Sequence, residues 1–297
     1  MVSQYWGKRD TGRIKPLCAT AFTLTLSFSA LIVLFVLMFP SVALSLVISR
    51  KEEAITALAL DYLPVLVFSY LPFAFTAACI AILRGVEVVR VTLYATIGSL
   101  ISNVTLNYIL IFGKLGFPAL GVRGAAIATV LARLIEAGIV VFYLFRVQKV
   151  LPLRAGDLMI HRVWAWKDYT RFGLPVGLTD AQWALIGMIK MMIIGRMGQI
   201  MMNAAAVTDM LFNLGTLFTF SLAGGAAVLV GKAAGSGNVP LVRQYSKRIQ
   251  IMFLFVGIVM AALVFFLRAP FFRLYDLDAQ TLSLALTMAG ICAPTLI

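Results

Sequence analysis

Long apolar runs alternate with short polar stretches along this chain. A helix needs about 20 apolar residues to cross the hydrocarbon core of a bilayer. Eight runs reach that length: 17–48, 54–83, 91–113, 120–145, 172–195, 203–230, 249–267 and 279–297. Only helices and closed barrels cross lipid with every backbone hydrogen bond made. These runs far exceed a barrel strand, so each predicts a spanning helix, and the fold class is all-α transmembrane. The longest polar interval, 146–171, holds Pro152, Gly156 and Asp157, with Trp164 and Trp166 near the next run. It predicts a linker over 151–171 between an N-terminal lobe, 1–150, and a C-terminal lobe, 172–297. The tryptophans are expected at the headgroup level.

Composition fits lipid as the solvent. The 297 residues are 62% hydrophobic and 12% charged, with mean hydropathy +0.99. A soluble domain carries roughly 25% charged residues. The net charge of +13 does not point to nucleic acid, because the basic residues sit between apolar runs, where topology signals are placed. With loops alternating sides, sixteen Lys and Arg fall on one side and seven on the other, counting Arg268 and Arg273 among the seven; Arg133 and Lys190 fall inside spans. The richer side is predicted to be cytoplasmic: the N-terminus, 84–90, 146–171 and 232–248. Cys18, Cys79 and Cys292 lie in apolar runs without metal-ligand spacing, and a single histidine, His161, makes no metal site alone. The first apolar run is too long for a cleaved signal peptide. No Lys-Ser/Thr phosphate loop, His-Glu-x-x-His or nucleophile elbow occurs, so neither direct ATP use nor membrane-embedded catalysis is expected.

An internal repeat supports two lobes. Gly7-Lys8 precedes one long apolar run and Gly231-Lys232 precedes another; Pro40 and Pro270, like Pro64 and Pro294, are 230 residues apart. The second copy stops just after Pro294, so the chain is expected to be a fragment cut at both ends and inactive alone. Pro40, Pro64, Pro72 and Pro175 are candidate bending points.

Ionisable residues inside a membrane are expensive and default to functional hypotheses. Asp61, Arg133, Glu136, Asp180, Lys190 and Asp209 qualify. Arg133 and Glu136 are three apart, so they share a helix face and can pair. They read either as a structural ion pair or as a titratable network facing a cavity. Asp180 and Lys190 lie ten residues apart, about 15 Å along a helix, and cannot bond directly; Asp209 on the next span is the candidate partner of Lys190. Met188, Met191, Met192, Met197, Met201, Met202 and Met210 crowd two successive spans. Methionine suits a promiscuous binding surface, and equally serves as packing or lipid-facing filler. In-span acids outnumber in-span bases, which favours a cationic cargo over an anionic one.

The stretch Gly116 to Arg133, GFPALGVRGAAIATVLAR, resembles the hallmark of the multidrug and toxic compound extrusion (MATE) transporters. Leu83-Arg84-Gly85, NVTLNYILIFG from Asn103, FGLPVG from Phe172, AAVLVGKAAG from Ala226 and QYWGK from Gln4 resemble further family segments in the family's order. The resemblance implies about eight of twelve helices in two pseudo-symmetric lobes, running from the end of the second helix into the tenth. It implies a monomeric, multi-pass antiporter of the plasma (inner) membrane that exports small organic cations in exchange for Na+ or H+, without a bound cofactor. Many members carry a Glu in the seventh helix; here Gln182 or Trp183 stands at that place, with Asp180 about one turn earlier. In the fifth helix the family's Asn and Asp correspond to Asn103 and Asn107, which share a face at i,i+4. An Asn cannot take a proton, so the pair serves either ion coordination or bonding between helices. The alternative within the superfamily is a flippase for lipid-linked oligosaccharide or peptidoglycan precursors.

Overall fold

The computed structural model describes all residues except 46–52, 148–150, 152–154, 276 and 297. The described residues form helices α1 (Val2–Gly7), α2 (Thr11–Met38), α3 (Pro40–Ser45), α4 (Glu53–Leu66), α5 (Tyr70–Gly85), α6 (Arg90–Phe112), α7 (Gly121–Phe142), α8 (Val163–Asp168), α9 (Leu174–Arg196), α10 (Gln199–Gly235), α11 (Val239–Phe272) and α12 (Ala279–Cys292). Among the described residues, eight helical stretches are long and apolar enough to span a membrane, one for each apolar run. Their outward faces carry large apolar side chains such as Phe28, Tyr94, Phe220 and Phe266, which only a lipid environment would accept in such number.

Local chemistry sets the boundaries. Asp10, Asn238 and Asp278 precede α2, α11 and α12, and each side chain accepts from a backbone N–H in the first turn, of Arg13, Leu241 and Thr281. This is the standard remedy for the unpaired N–H groups of a helix start. Gly113 ends α6 in the left-handed region (φ 65°), where glycine meets no Cβ penalty. The first apolar run was expected as one helix over 17–48. The structure ends α2 at Met38 and starts the short α3 at Pro40; Pro40 has no N–H to continue the ladder and restricts Phe39 before it. Pro64 lies inside α4, and the chain tightens into a 3-10 turn at Val67–Ser69 before continuing as α5.

Contacts divide the chain into two units, Met1–Lys167 and Asp168–Ile297. In the first, Ile14, Cys18 and Phe22 of α2 pack with Cys79, Ile82 and Leu83 of α5, Val91 and Ala95 of α6, and Val140 of α7. Phe22 stacks on Phe75 at 5.1 Å between ring centres. α6 and α7 run antiparallel in very close contact: a Cβ at Gly124 would lie 2.5 Å from the carbonyl oxygen of Leu110, and Ala128, one turn further on the same face, is fully buried. Residues 155–167 dock on the base of α2. Lys15 pairs with Asp157 at 2.9 Å, Thr23 Oγ1 meets His161 Nε2 at 2.7 Å, and the Trp164 ring lies against Tyr5 and the Arg13 guanidinium. In the second unit, Ala204 and Leu211 of α10, Met260, Ala261 and Val264 of α11, and Ala285 and Ala289 of α12 form the core. Within this unit, α9 buries only Ile194.

Candidate functional site

In the first unit the 3.6-residue turn of α7 brings Arg133 and Glu136 together. Arg133 Nη1 donates to Glu136 Oε2 at 2.7 Å. Glu136 is 5% exposed, and the Arg133 guanidinium also lies over the Phe73 ring, 4.9 Å from its centre. A carboxylate this buried is tolerable because its neighbour neutralises it. Asp61, also expected as an in-span acid, pairs with Arg123 at 2.7 Å.

On α6, Asn107 Nδ2 donates to Asn103 Oδ1 at 3.0 Å, as the shared face allows. The remaining amide oxygen of Asn107 is buried and accepts nothing from the described residues. A buried acceptor without a donor costs about 1–3 kcal/mol, so this oxygen suits a coordinated cation or a donor of some other kind. Asn103–Asn107 and Arg133–Glu136 are separate places. Ser99 Oγ donates to the Ala132 carbonyl at 3.3 Å, which fixes the register of α6 against α7. Asn103 is one turn beyond Ser99 and Glu136 one turn beyond Ala132; in antiparallel helices those steps diverge.

In the second unit, Lys190 Nζ donates to both carboxylate oxygens of Asp209, each at 2.7 Å. The pair expected across the α9–α10 loop is therefore present, and Asp180 does not bond to Lys190. Asp180 has no hydrogen-bonding or ionic partner among the described residues. It lies on an exposed stretch of α9 with Gln182 and Trp183, and Trp183, three residues on, shares its face. The methionines of α9 and α10 are mostly exposed; Met210 Sδ accepts from the Tyr275 hydroxyl at 3.0 Å. Arg268 differs from expectation. It was counted with an external loop because the apolar run stops at 267, but it lies inside α11, and its guanidinium reaches α12.

Comparison with known proteins follows the same lines. A profile of the MatE family matches residues 1–109 and 175–297. A probable multidrug resistance protein NorM of Thermotoga maritima is 27% identical over 235 residues, which cover 79% of this chain and 50% of the relative. The corresponding protein of Halalkalibacterium halodurans is 30% identical over 233 residues, covering 77% and 50%. The chain thus spans about half the length of the curated relatives it matches. A solved outward-facing multidrug resistance MATE family transporter of the MOP superfamily superposes with a TM-score of 0.84 at 20% identity, over 99% of this chain and 65% of that one. The eukaryotic MATE transporter AtDTX14 gives 0.79 at 14% identity, over 100% and 65%. Likeness at these identities establishes the fold.

Proposed function

The chain belongs to the MatE family, and on that premise we propose that the full-length protein is a secondary antiporter exporting cationic and amphiphilic organic compounds in exchange for Na+ or H+. Asp180 carries this reading. Asp61, Glu136 and Asp209 each have a basic partner; Asp180 has none among the described residues. It lies six residues into α9, about 9 Å along the helix, inside a spanning stretch. An uncompensated carboxylate at that depth is costly, and binding a cation or a proton relieves the cost. Trp183 on the same face is 67% exposed and offers an aromatic surface to an organic cation. The exposed methionines nearby extend it with adaptable, polarizable surface.

Asn103 and Asn107 form a second polar place in the first unit. Neither can carry a proton, so their role in coupling would be to coordinate Na+, with the unpartnered Asn107 oxygen as a ligand. A flippase handling a lipid-linked pyrophosphate would need several free cations, yet of the in-span bases Arg133 and Lys190 are bound to carboxylates, and Arg268 is a single guanidinium. The protein would act as a monomer in the lipid bilayer, with no resident cofactor.

The test uses the full-length protein in sealed vesicles. A fluorescent organic cation is followed while a Na+ gradient, then a pH gradient, is imposed. Movement driven by either gradient supports the antiporter and names the ion. Folded protein that moves the dye under neither gradient refutes it.

A further inference from the structure

No carboxylate pairs with the Arg268 guanidinium among the described residues. Arg268 sits four residues before the end of α11, and on a helix running that way the side chain is directed back toward the N-terminus, into the membrane. The contacts agree. Arg268 Nη1 donates to the Leu286 carbonyl of α12 at 3.4 Å, and a Cβ at Gly290 would collide with the same nitrogen. Leu286 and Gly290 lie seven and eleven residues inside α12, about 10–16 Å from its start. The guanidinium is therefore held in the spanning region. It also lies over the Phe265 ring, 4.0 Å from its centre.

Five N–H donors are present on a guanidinium, and one long bond to a carbonyl is the single hydrogen bond made to the described residues. The other in-span bases, Arg133 and Lys190, both have carboxylates. Intramembrane charges ordinarily pair and mark substrate or ion paths, and the planar fork of Arg matches a carboxylate in a bidentate way that no carbonyl can.

We propose that Arg268, backed by Phe265 and seated on the small surface of Gly290, is an anion-recognising subsite of the second unit that takes the carboxylate of a transported organic compound. It rests on the export reading above and deepens it by naming the side chain that would read a carboxylate on the cargo.

The test uses a matched pair of dyes, rhodamine 123 and its free acid rhodamine 110, which differ by a methyl ester that masks the carboxylate. Binding to purified full-length protein is read by fluorescence anisotropy, and vesicle transport is read in parallel. Arg268→Gln is expected to weaken the free acid tenfold or more and leave the ester within twofold; Arg268→Lys, which keeps the charge without the fork, should fall between. Thermal unfolding of each variant checks that the helix pair stays assembled. Gly290→Ala gives a second route, because its Cβ displaces the guanidinium without removing it; it should narrow the preference for the acid. Equal losses for both dyes, or no loss for either, would overturn the subsite. So would wild-type protein that binds the ester but not the acid, which leaves the export reading standing. Wild-type protein that binds neither dye refutes both.

Discussion

At the residue scale, pairing decides which charges are free to act. Asp180→Asn removes an in-span acid that has no partner among the described residues, and gradient-driven transport by the full-length protein should fall about tenfold, a 1.4 kcal/mol effect, with unchanged expression. Transport at the wild-type rate would move the coupling site elsewhere. Lys190 and Asp209 should behave as a unit. Lys190→Met and Asp209→Leu each strand a charge, so the double variant should be more stable than the single effects sum to, by about 1 kcal/mol or more. Thermal unfolding of the four proteins in one detergent measures it, and simple additivity would mean the pair is inert. Glu136→Gln retains an acceptor for Arg133, so folding should survive while a titratable role is lost. Loss of coupling with normal yield assigns Glu136 to function, and full coupling makes it structural. Much of this pairing was legible in the sequence. The i,i+3 spacing of Arg133 and Glu136 dictates their contact, and the short α9–α10 loop leaves Asp209 as the partner within reach of Lys190. The place of Arg268 was not legible, because a charge at the end of an apolar run reads as a loop charge. Only the direction of α11 and the small residue at 290 show that it points inward.

At the element scale, caps and close approaches carry the argument. The Thr281 hydroxyl and backbone N–H hold the Asp278 carboxyl below its ordinary 3.8. A carboxyl depressed in the folded state adds stability above its unfolded pKa, and loses that contribution as pH falls through its folded value. Asp278→Ala should therefore lower the unfolding temperature at neutral pH, and the gap from wild type should close below pH 3.8. A gap that persists in acid would mean the effect is not the cap. Helix existence was written in apolar run length, because a bilayer imposes one dimension on every span. Interruptions were less visible. Pro40 was noted as a bending point, yet the run continues apolar past it, so hydrophobicity alone gave no sign that α2 stops there. Docking of 155–167 was hidden for the opposite reason: a polar, Pro- and Gly-bearing stretch reads as a free linker, whereas Asp157, His161 and Trp164 tie it to α2.

At the scale of the molecule, the loop charges predict orientation. On a background with Cys18, Cys79 and Cys292 replaced, a cysteine at Val88 should react with an impermeant thiol reagent only from the cytoplasmic side. One at Leu115, which is 82% exposed in the α6–α7 loop, should react only from the other side. The reverse pattern would invert the topology, and labelling of both from one side would break the span count. Two lobes were suggested by the spacing of Pro40 with Pro270 and of Pro64 with Pro294, a weak signal, since apolar sequences match by chance. The same family profile matches on either side of the 110–174 gap, which supports one protein family along the chain.

The seam between α6 and α7 changes how sequence variants of this protein should be scored. In a water-soluble core the largest side chains are the least replaceable, because truncation leaves a hole. Here the intolerant positions are the smallest ones. Gly124→Val would drive a methyl-bearing carbon into the Leu110 carbonyl and should cost about 1–3 kcal/mol, whereas Gly138→Ala, with nothing within 4 Å, should be neutral in the same unfolding assay. Ala128→Val, conservative by any chemical scale, should harm folding more than Leu131→Ala or Leu134→Ala on the exposed side of the same helix. A clinical or evolutionary reading that ranks substitutions by hydrophobicity would sort these in the wrong order, because in lipid it is the gain of a methyl group, and not the loss of one, that prises two helices apart.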